Sequence, residues 1–439
     1  MEPSAFLNFV FHNILEYITY TIIIFIVIFI SIKKLAVNIL DPIYLYYHFT
    51  FSTSYAVVLI LYMHNYISIE IFSVIFLYAA ILIISINISF RAKNLINLNL
   101  FRQSSFRKYN IDKFLLLSIT IYLVISFIYI YNISITTFFL SRFEANKGLG
   151  VFYRILDTLR IMICIGLGIK LSTNRKKTLL SIFTLFFLLY SCLISGAKIV
   201  LIEQVLALFI SIKTYSIYKI KPNTYIKFTC LIILSFLPVM LFLTLQSNAS
   251  GYITSQYLPG VPIQLELFIL RIIANGDMYY LSLPYDLINR INTTNTELYL
   301  QFIGPILGNG ITNYLFNYDY TNQSIGRLIW LYWFPDAYAG GSIDHFDLLA
   351  YKFFPKPFDI IFVIVLGWLL GKLIKIKSNL NNHSNPLYSI IILTLYIRSL
   401  TILLFPTIGI AFVIDTIVVF STLLTFSLFI RAIKKPRRA

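Results

Sequence analysis

Long apolar runs alternate with short polar gaps along most of the chain. They fall near residues 15–32, 43–63, 67–90, 114–134, 151–171, 178–194, 197–212, 228–245, 358–374, 387–405 and 408–430. An α-helix needs roughly 17 to 25 apolar residues to cross about 30 Å of hydrocarbon. The pattern therefore predicts an all-α polytopic transmembrane bundle of about eleven spans. One gap, 246–357, is long enough to fold by itself and holds eight of the eighteen acidic residues. Inside it, 261–274 and 298–307 are apolar but too short or too interrupted to span, which predicts amphipathic or re-entrant helices against a membrane face. The expected organisation is a bundle of about eight spans over 1–245, a large external loop over 246–357, and about three spans with a basic tail over 358–439.

Charge changes this picture by giving it an orientation. The net charge is +17, which in a soluble protein would point to nucleic acid. Mean hydropathy is +0.82 and only 12% of residues are charged, so the basic residues read as membrane topology, and no nucleic-acid partner is expected. Twenty-four of the thirty-five Lys and Arg fall in alternate gaps or in the C-terminal tail. The positive-inside rule then places the N-terminus outside and the C-terminus inside. The first residues lack the basic region and small-residue cleavage site of a secretory signal, so the first span is expected to be retained.

Several chemistries lack their motifs. There is no phosphate-binding Gly-x-x-x-x-Gly-Lys-Ser/Thr loop and no His-Glu-x-x-His. The cysteines, Cys164, Cys192 and Cys230, sit in apolar runs with no metal spacing. No Asp-x-Asp occurs either, which disfavours a donor activated by a divalent metal on a nucleotide diphosphate.

Eleven basic residues break the topological rule: Arg142, Lys147, Arg154, Arg160, Lys198, Arg271, Arg290, Arg327, Lys352, Lys356 and Arg398. A charge near a bilayer centre costs a few kcal/mol even on insertion scales, so each needs a partner or a wet cavity. Arg154, Asp157 and Arg160 share one helical face. Either Asp157 pairs with one of the two arginines, or the surplus cation is there for a diphosphate, which guanidinium geometry suits. Lys198, in Ser195-Gly-Ala-Lys198, either reaches a phosphate or pairs with Glu203. Arg398 and Asp415 lie at matching depths in successive runs, so an ion pair competes with a functional role. In the external loop, Arg271 opens a stretch ending in Gly276-Asp277, and Arg327 precedes Trp330, Tyr332, Trp333 and Asp336. His345 lies between Asp344 and Asp347 after two glycines, and is either a solvated loop residue or a general base whose ring a carboxylate holds.

Taken in order, these features resemble the oligosaccharide repeat-unit polymerases, the Wzy-type O-antigen polymerases of bacterial envelopes. The resemblance rests on Asp41-Pro42 before an aromatic-rich run, Arg142 to Arg154 with its Glu and glycines, and Ser195 to Lys198. It continues through Arg271 with Gly276-Asp277, and Gly340 to Asp347 followed by a run containing Gly367 and Gly371. It implies a GT-C-like glycosyltransferase architecture in the bacterial inner (plasma) membrane, with the 246–357 loop and the active site facing the periplasm. The implied reaction moves a growing glycan from undecaprenyl diphosphate onto a new lipid-linked repeat unit, without metal or other cofactor. In that scheme His345 is the base, with Asp277 and Asp336 behind it. Arg142, Arg154, Lys198, Arg271, Arg327 and Arg398 would stabilise the departing diphosphate. The implied partners are undecaprenyl-diphosphate-linked repeat units, membrane lipid and a chain-length regulator. An O-antigen ligase would use the same donor on a different acceptor. A lipid-linked oligosaccharide flippase would also need cations for a diphosphate, but such transporters are usually built from repeated halves, and no repeat is apparent here.

Overall fold

The structure is a computed structural model that describes residues 2–92, 110–134, 138, 145–146, 148–173, 178–196, 200–216, 226, 228–230, 233, 240–241, 243–245, 255–291, 294–337, 341 and 344–433. Every regular element among the described residues is a helix. Six helices are long and apolar enough to cross a membrane: Ile14–Ile32, Ile69–Arg91, Ile111–Asn132, Thr178–Ser195, Pro386–Leu404 and Pro406–Phe429. They coincide with six of the eleven expected runs, and most of the others fall short for visible reasons. The run at 43–63 divides into a π-helical turn, Tyr44–Phe49, and a helix of 14 residues, Thr50–Met63. Val200–Tyr215 has 16 residues. Gly150–Thr173 and Phe358–Ser378 each carry four charged side chains. Most of 228–245 lies outside the described residues, as do most of the basic gaps that set the expected orientation.

The helix Ile14–Ile32 divides into a packed face and an exposed apolar face. Tyr17, Ile24, Ile28 and Ile32 turn inward and are buried, whereas Ile22, Ile23, Ile26, Val27 and Ile30 are at least half exposed. Left in water, such a face would forgo about 25 cal/mol for each Å² of apolar surface. The hydroxyls of Thr19 and Ser31 donate to the carbonyls of Leu15 and Val27 one turn back, which hides their polarity within the helix.

The chain divides into two compact units. One comprises Met1–Ala92, Leu243–Ile374 and Ser399–Ala411, and the other Lys93–Phe242, Lys375–Arg398 and Phe412–Ala439. These groupings cut across the expected divisions at 245 and 357, because helices far apart in sequence bury one another's faces. In the first unit Thr50–Met63 is the central helix, with Phe51, Tyr55, Val57, Val58, Ile60 and Leu61 all buried. The Ser54 hydroxyl donates to the Asn275 carbonyl at 2.8 Å, and Asn275 Nδ2 donates to Thr53 Oγ1 at 2.9 Å. A Cβ on Gly276 would meet Val57 Cγ2 at 2.8 Å, so glycine there lets the helix Asp277–Ser282 start directly against the central helix. Both short apolar stretches of the 246–357 segment are helices, Ile263–Ile273 and Asn295–Leu307, the latter opened by a Thr294 and Glu297 capping box. Tyr299, Ile303 and Leu307, four residues apart, form an exposed apolar stripe on it.

Gly367 and Gly371 lie one turn apart on Phe358–Ser378 and form a close helix contact within this unit. A Cβ on Gly371 would stand 2.5 Å from the Ile86 carbonyl oxygen, and one on Gly367 would stand 2.9 Å from that of Leu82. Ser89 Oγ donates to the Trp368 carbonyl at 2.7 Å across the same contact. Without a hydrophobic drive between helices in lipid, small residues that let backbones approach are what hold such pairs. In the second unit Gly150–Thr173 is the central helix. Gly166 faces Leu115, and Gly168 faces the Leu208 carbonyl at a Cβ distance of 2.7 Å. Gly371→Leu is expected to force Ile69–Arg91 and Phe358–Ser378 apart and to cost about 1 to 3 kcal/mol. Thermal unfolding in detergent checks this, with Gly310→Leu, whose position has nothing within 4 Å, as the control that should stay near wild type.

Candidate functional site

Gly341 and the residues Asp344 to Asp347 meet the helices Thr50–Met63, Asp277–Ser282 and Ile325–Trp333 inside the first unit. His345 is the N-cap of the helix Phe346–Phe353. Its extended backbone turns the ring away from the helix axis and into the core, where the residue is 0% exposed. The solvated-loop alternative for His345 is therefore not what the fold produces. Nor does a carboxylate hold the ring directly. His345 Nδ1 lies 3.0 Å from the Tyr279 hydroxyl, and Tyr279 in turn donates to Asp347 at 2.8 and 2.9 Å. Tyr55 donates to the same carboxylate at 3.0 Å, and the Leu348 N–H at 2.8 Å.

These bonds assign the protons. Because Tyr279 donates to Asp347, its oxygen accepts from Nδ1–H, which leaves Nε2 as the bare nitrogen of a neutral imidazole. Burial pushes the imidazole down to about 3, so the ring stays neutral. Burial also pushes the Asp347 carboxyl up to about 6, against the hydroxyls of Tyr279 and Tyr55 and the Leu348 N–H. The arrangement is a carboxylate, a phenol and an imidazole in series, ending on a nitrogen with no hydrogen-bond partner among the described residues.

Asp344 completes the neighbourhood. It accepts from the Gly326 N–H in the first turn of Ile325–Trp333, and its Oδ1 is buried without a partner among the described residues. Burial first, and then the charge of Asp277, push its carboxyl up to about 7. Asp277 itself is buried at the start of Asp277–Ser282, two residues before Tyr279. Trp333 Nε1 donates to the Leu281 carbonyl at 2.8 Å and pins the two helices together. Arg327 is buried, with Nη2 on the Ala337 carbonyl at 2.6 Å. Thus His345, Asp277 and Arg327 share one neighbourhood, whereas Asp336 is exposed on the turn after Trp333 and Arg271 is exposed near the end of Ile263–Ile273. Arg142 and Lys198 lie outside the described residues.

The remaining expected cations are in the second unit, where Asp157 pairs with one of the two arginines on its own helix, as the first alternative expects, while Arg398 does not take Asp415. Asp157 faces two guanidiniums, Arg160 at 2.5 Å and Arg398 at 2.5 Å. Arg160 also reaches Glu203 at 3.0 Å. Asp415, expected opposite Arg398, instead takes Arg154, whose Nε lies 2.7 Å from Oδ2. Arg398 further donates to the Asp157 carbonyl at 2.6 Å and lies over the Phe412 ring. Three arginines thus meet three carboxylates. Matching depth along two helices predicts a pair only when their rotations also agree, and spacing alone does not set rotation. The sequence does not single out Tyr279 and Tyr55, because tyrosines are abundant in apolar runs and nothing in their spacing separates a relay phenol from a core one. Asp41, in the early Asp41-Pro42, accepts from the N–H groups of Val37 and Ile43 and so organises a turn. Among the described residues no group of three or more His, Cys, Asp or Glu is placed to hold a metal ion.

No family model, curated protein or solved structure matches the chain, so its chemistry is argued from this geometry. Asp157→Asn should leave Arg160 and Arg398 buried around a weakened partner and cost about 3 to 5 kcal/mol. Arg154→Met, at a pair that is partly exposed, should cost clearly less, and thermal unfolding in detergent ranks the two. Asp344 gives a pH signature. Its folded value of about 7 lies above the ordinary 3.8, so its stabilising contribution is complete below pH 4 and is lost as pH rises through 7. Asp344→Asn keeps an acceptor for Gly326 and cannot ionise, so its stability relative to wild type should grow between pH 4 and pH 8. Taking the difference between variant and wild type cancels the opposite contribution of His345, which is lost as pH falls below 6.5.

Proposed function

We propose that the chain is a membrane glycosyltransferase that polymerises lipid-linked oligosaccharide repeat units, the O-antigen polymerase of a bacterial inner membrane. The observation that carries this reading is the buried series Asp347, Tyr279, His345, placed in the segment between the apolar runs and ending on a bare imidazole nitrogen. Sugar transfer from a diphosphate needs a group that takes a proton from the attacking hydroxyl, and a neutral imidazole is in the form required. In the proposed reaction an acceptor hydroxyl oxygen bonds to the anomeric carbon of the growing glycan. The bond from that carbon to the phosphate oxygen breaks, and the diphosphate leaves with the electron pair. The hydroxyl proton passes to His345 Nε2, where Asp347 offsets the new charge through Tyr279.

The leaving diphosphate needs cations. In this proposal Arg271 and Arg327, in the same unit as His345, serve that role together with Arg142 and Lys198. Arg154 and Arg398 are committed to Asp415 and Asp157 and shape the bundle instead. The proposal keeps the GT-C-like arrangement, with about eleven spans, N-terminus outside, C-terminus inside and the 246–357 segment in the periplasm. The partners are undecaprenyl-diphosphate repeat units and a chain-length regulator.

Purified protein incubated with undecaprenyl-diphosphate repeat units, with chelator and no nucleotide, is expected to yield a ladder of longer glycans. Absence of extension under every metal condition overturns the reading. In cells, Arg271→Ala and His345→Ala should each abolish long chains while the protein still accumulates in the membrane, with His345→Gln as a size-matched second variant. Loss of the base should slow extension by about 10² to 10⁴-fold. Single repeat units left on lipopolysaccharide mark a polymerase defect, whereas none at all would indicate a ligase.

A further inference from the structure

The helices Asn295–Leu307 and Asn309–Phe316 carry their polarity largely the wrong way round for a surface in water. Tyr299, Ile303 and Leu307 are exposed on the first, and Ile311, Tyr314 and Leu315, at helical spacing, on the second, with Tyr314 89% exposed. Two polar side chains turn the other way. Gln301 is 4% exposed, with Nε2 donating to the Gln323 carbonyl at 3.2 Å, and Thr312 is 0% exposed. A helix facing water buries its apolar stripe and shows its polar one. Exposed Thr296, Asn313 and Asn317 lie toward the two ends of the pair. Glu297 is the one charged residue between 295 and 316, and it is taken up in the capping box of the first turn.

The backbone between the two helices is closed on itself. Gly308 is the single residue separating them, at φ 89°. Its N–H donates to the Gly304 carbonyl at 2.8 Å, and its carbonyl accepts from the Thr312 N–H at 3.1 Å and the Thr312 hydroxyl at 3.0 Å. The chain then returns beside the first helix, where a Cβ on Gly304 would meet the Tyr320 side chain at 2.8 Å. Lipid admits backbone that makes its own hydrogen bonds and excludes exposed loops that do not. A one-residue turn with both polar groups bonded meets that condition.

Packing within the first unit sets the depth of this hairpin. Gly367 stands against Leu82 and Ser85, and Gly371 against Ile86 and Ser89, so Phe358–Ser378 runs parallel to Ile69–Arg91 in a fixed register. Phe362, five residues before Gly367, is then level with a point roughly 12 to 16 Å from the start of Ile69–Arg91, by helical rise. The Phe362 ring stacks on Phe354 at 4.9 Å, and Phe354 meets Phe302 of the first hairpin helix at 6.4 Å. Those two contacts together are shorter than that depth. The hairpin therefore packs alongside the apolar length of Ile69–Arg91, where Phe358–Ser378 also exposes Ile361, Val365 and Leu369.

We infer that the hairpin 295–316 is inserted into one leaflet of the bilayer, with lipid acyl chains covering its exposed apolar face. Three observations select lipid as the occupant: the hairpin lies within the depth of a helix long enough to cross the membrane, its exposed apolar face carries no charge, and its turn is closed as hydrocarbon requires. The inference goes beyond the polymerase reading and does not rest on it. It takes this part of the 246–357 segment out of the aqueous phase.

The test uses the full chain in phosphatidylcholine vesicles, with the exposed thiol of Cys230 replaced by serine. Ile303→Cys, Ile311→Cys and Leu315→Cys each carry one nitroxide. Asn379→Cys, at an exposed turn, is the water-side reference, and Ile26→Cys, on the exposed face of Ile14–Ile32, the lipid-side one. Spin relaxation reports collision with oxygen, which concentrates in hydrocarbon, and with a nickel chelate, which stays in water. The oxygen-to-nickel ratio at the three hairpin sites should approach that at Ile26 and exceed that at Asn379 about ten-fold, because polar solutes partition poorly into hydrocarbon. A ratio equal to that at Asn379 places the face in water and overturns the inference. Low collision with both reagents means that protein covers the face and overturns it too, and broadening between labels that vanishes on dilution with unlabelled chain then identifies a second copy. The glycan ladder is read in a separate assay, so its absence leaves this ratio, and the inference, unchanged.

Discussion

Taking a charged or hydrogen-bonding group out of water without a partner costs several kcal/mol, and that cost arranges the polar interior of this chain. With 59% of residues hydrophobic, helices associate through surfaces that cannot solvate a charge. The second unit answers with Asp157 between Arg160 and Arg398, Glu203 on Arg160, and Asp415 on Arg154. Each contact joins residues at least three apart, and most join different helices, so the network fixes how those helices are rotated. Such buried pairs add little net stability compared with apolar packing, but breaking one partner is expensive. Their effect is therefore on which packing is allowed.

The same constraint yields a different result in the first unit, where the buried carboxylates of Glu266 and Asp347 meet N–H groups and hydroxyls. Glu266 accepts from three successive backbone N–H groups, those of Gln256, Tyr257 and Leu258, and so closes its loop. Asp347 accepts from two tyrosines. Hydroxyl donors satisfy a carboxylate without cancelling its charge, which leaves Asp347 able to respond to a proton arriving at His345. Asp344 is less fully matched among the described residues, and burial, then the charge of Asp277, hold it up to about 7. Chemistry is better supported by this incomplete matching than by the balanced arginine network.

Among the residues that break the topological charge rule, Arg154, Arg160 and Arg398 meet carboxylates inside the second unit, Arg327 bonds the Ala337 carbonyl beside the His345 cluster, and Arg271 is exposed. A cation on the costly side of a membrane protein signals that something must meet it. Whether that partner is another side chain or a ligand depends on which helix face opposes it.

Apolar run length and helical spacing are local properties of the chain, so the helical class, the six long apolar helices and the short helices at 263–273 and 295–307 are legible in the residues alone. His345 is marked as well, since two carboxylates and two glycines around one histidine are visible in a line of text. Only the tertiary structure decided that Tyr279 stands between that histidine and Asp347, and that Asp415 belongs to Arg154. Those outcomes depend on the rotation of helices far apart along the chain, 261 residues for Arg154 and Asp415. Rotation is set by close contacts such as Gly276 on Val57 and Gly371 on Ile86, which arise between faces that no local pattern pairs in advance.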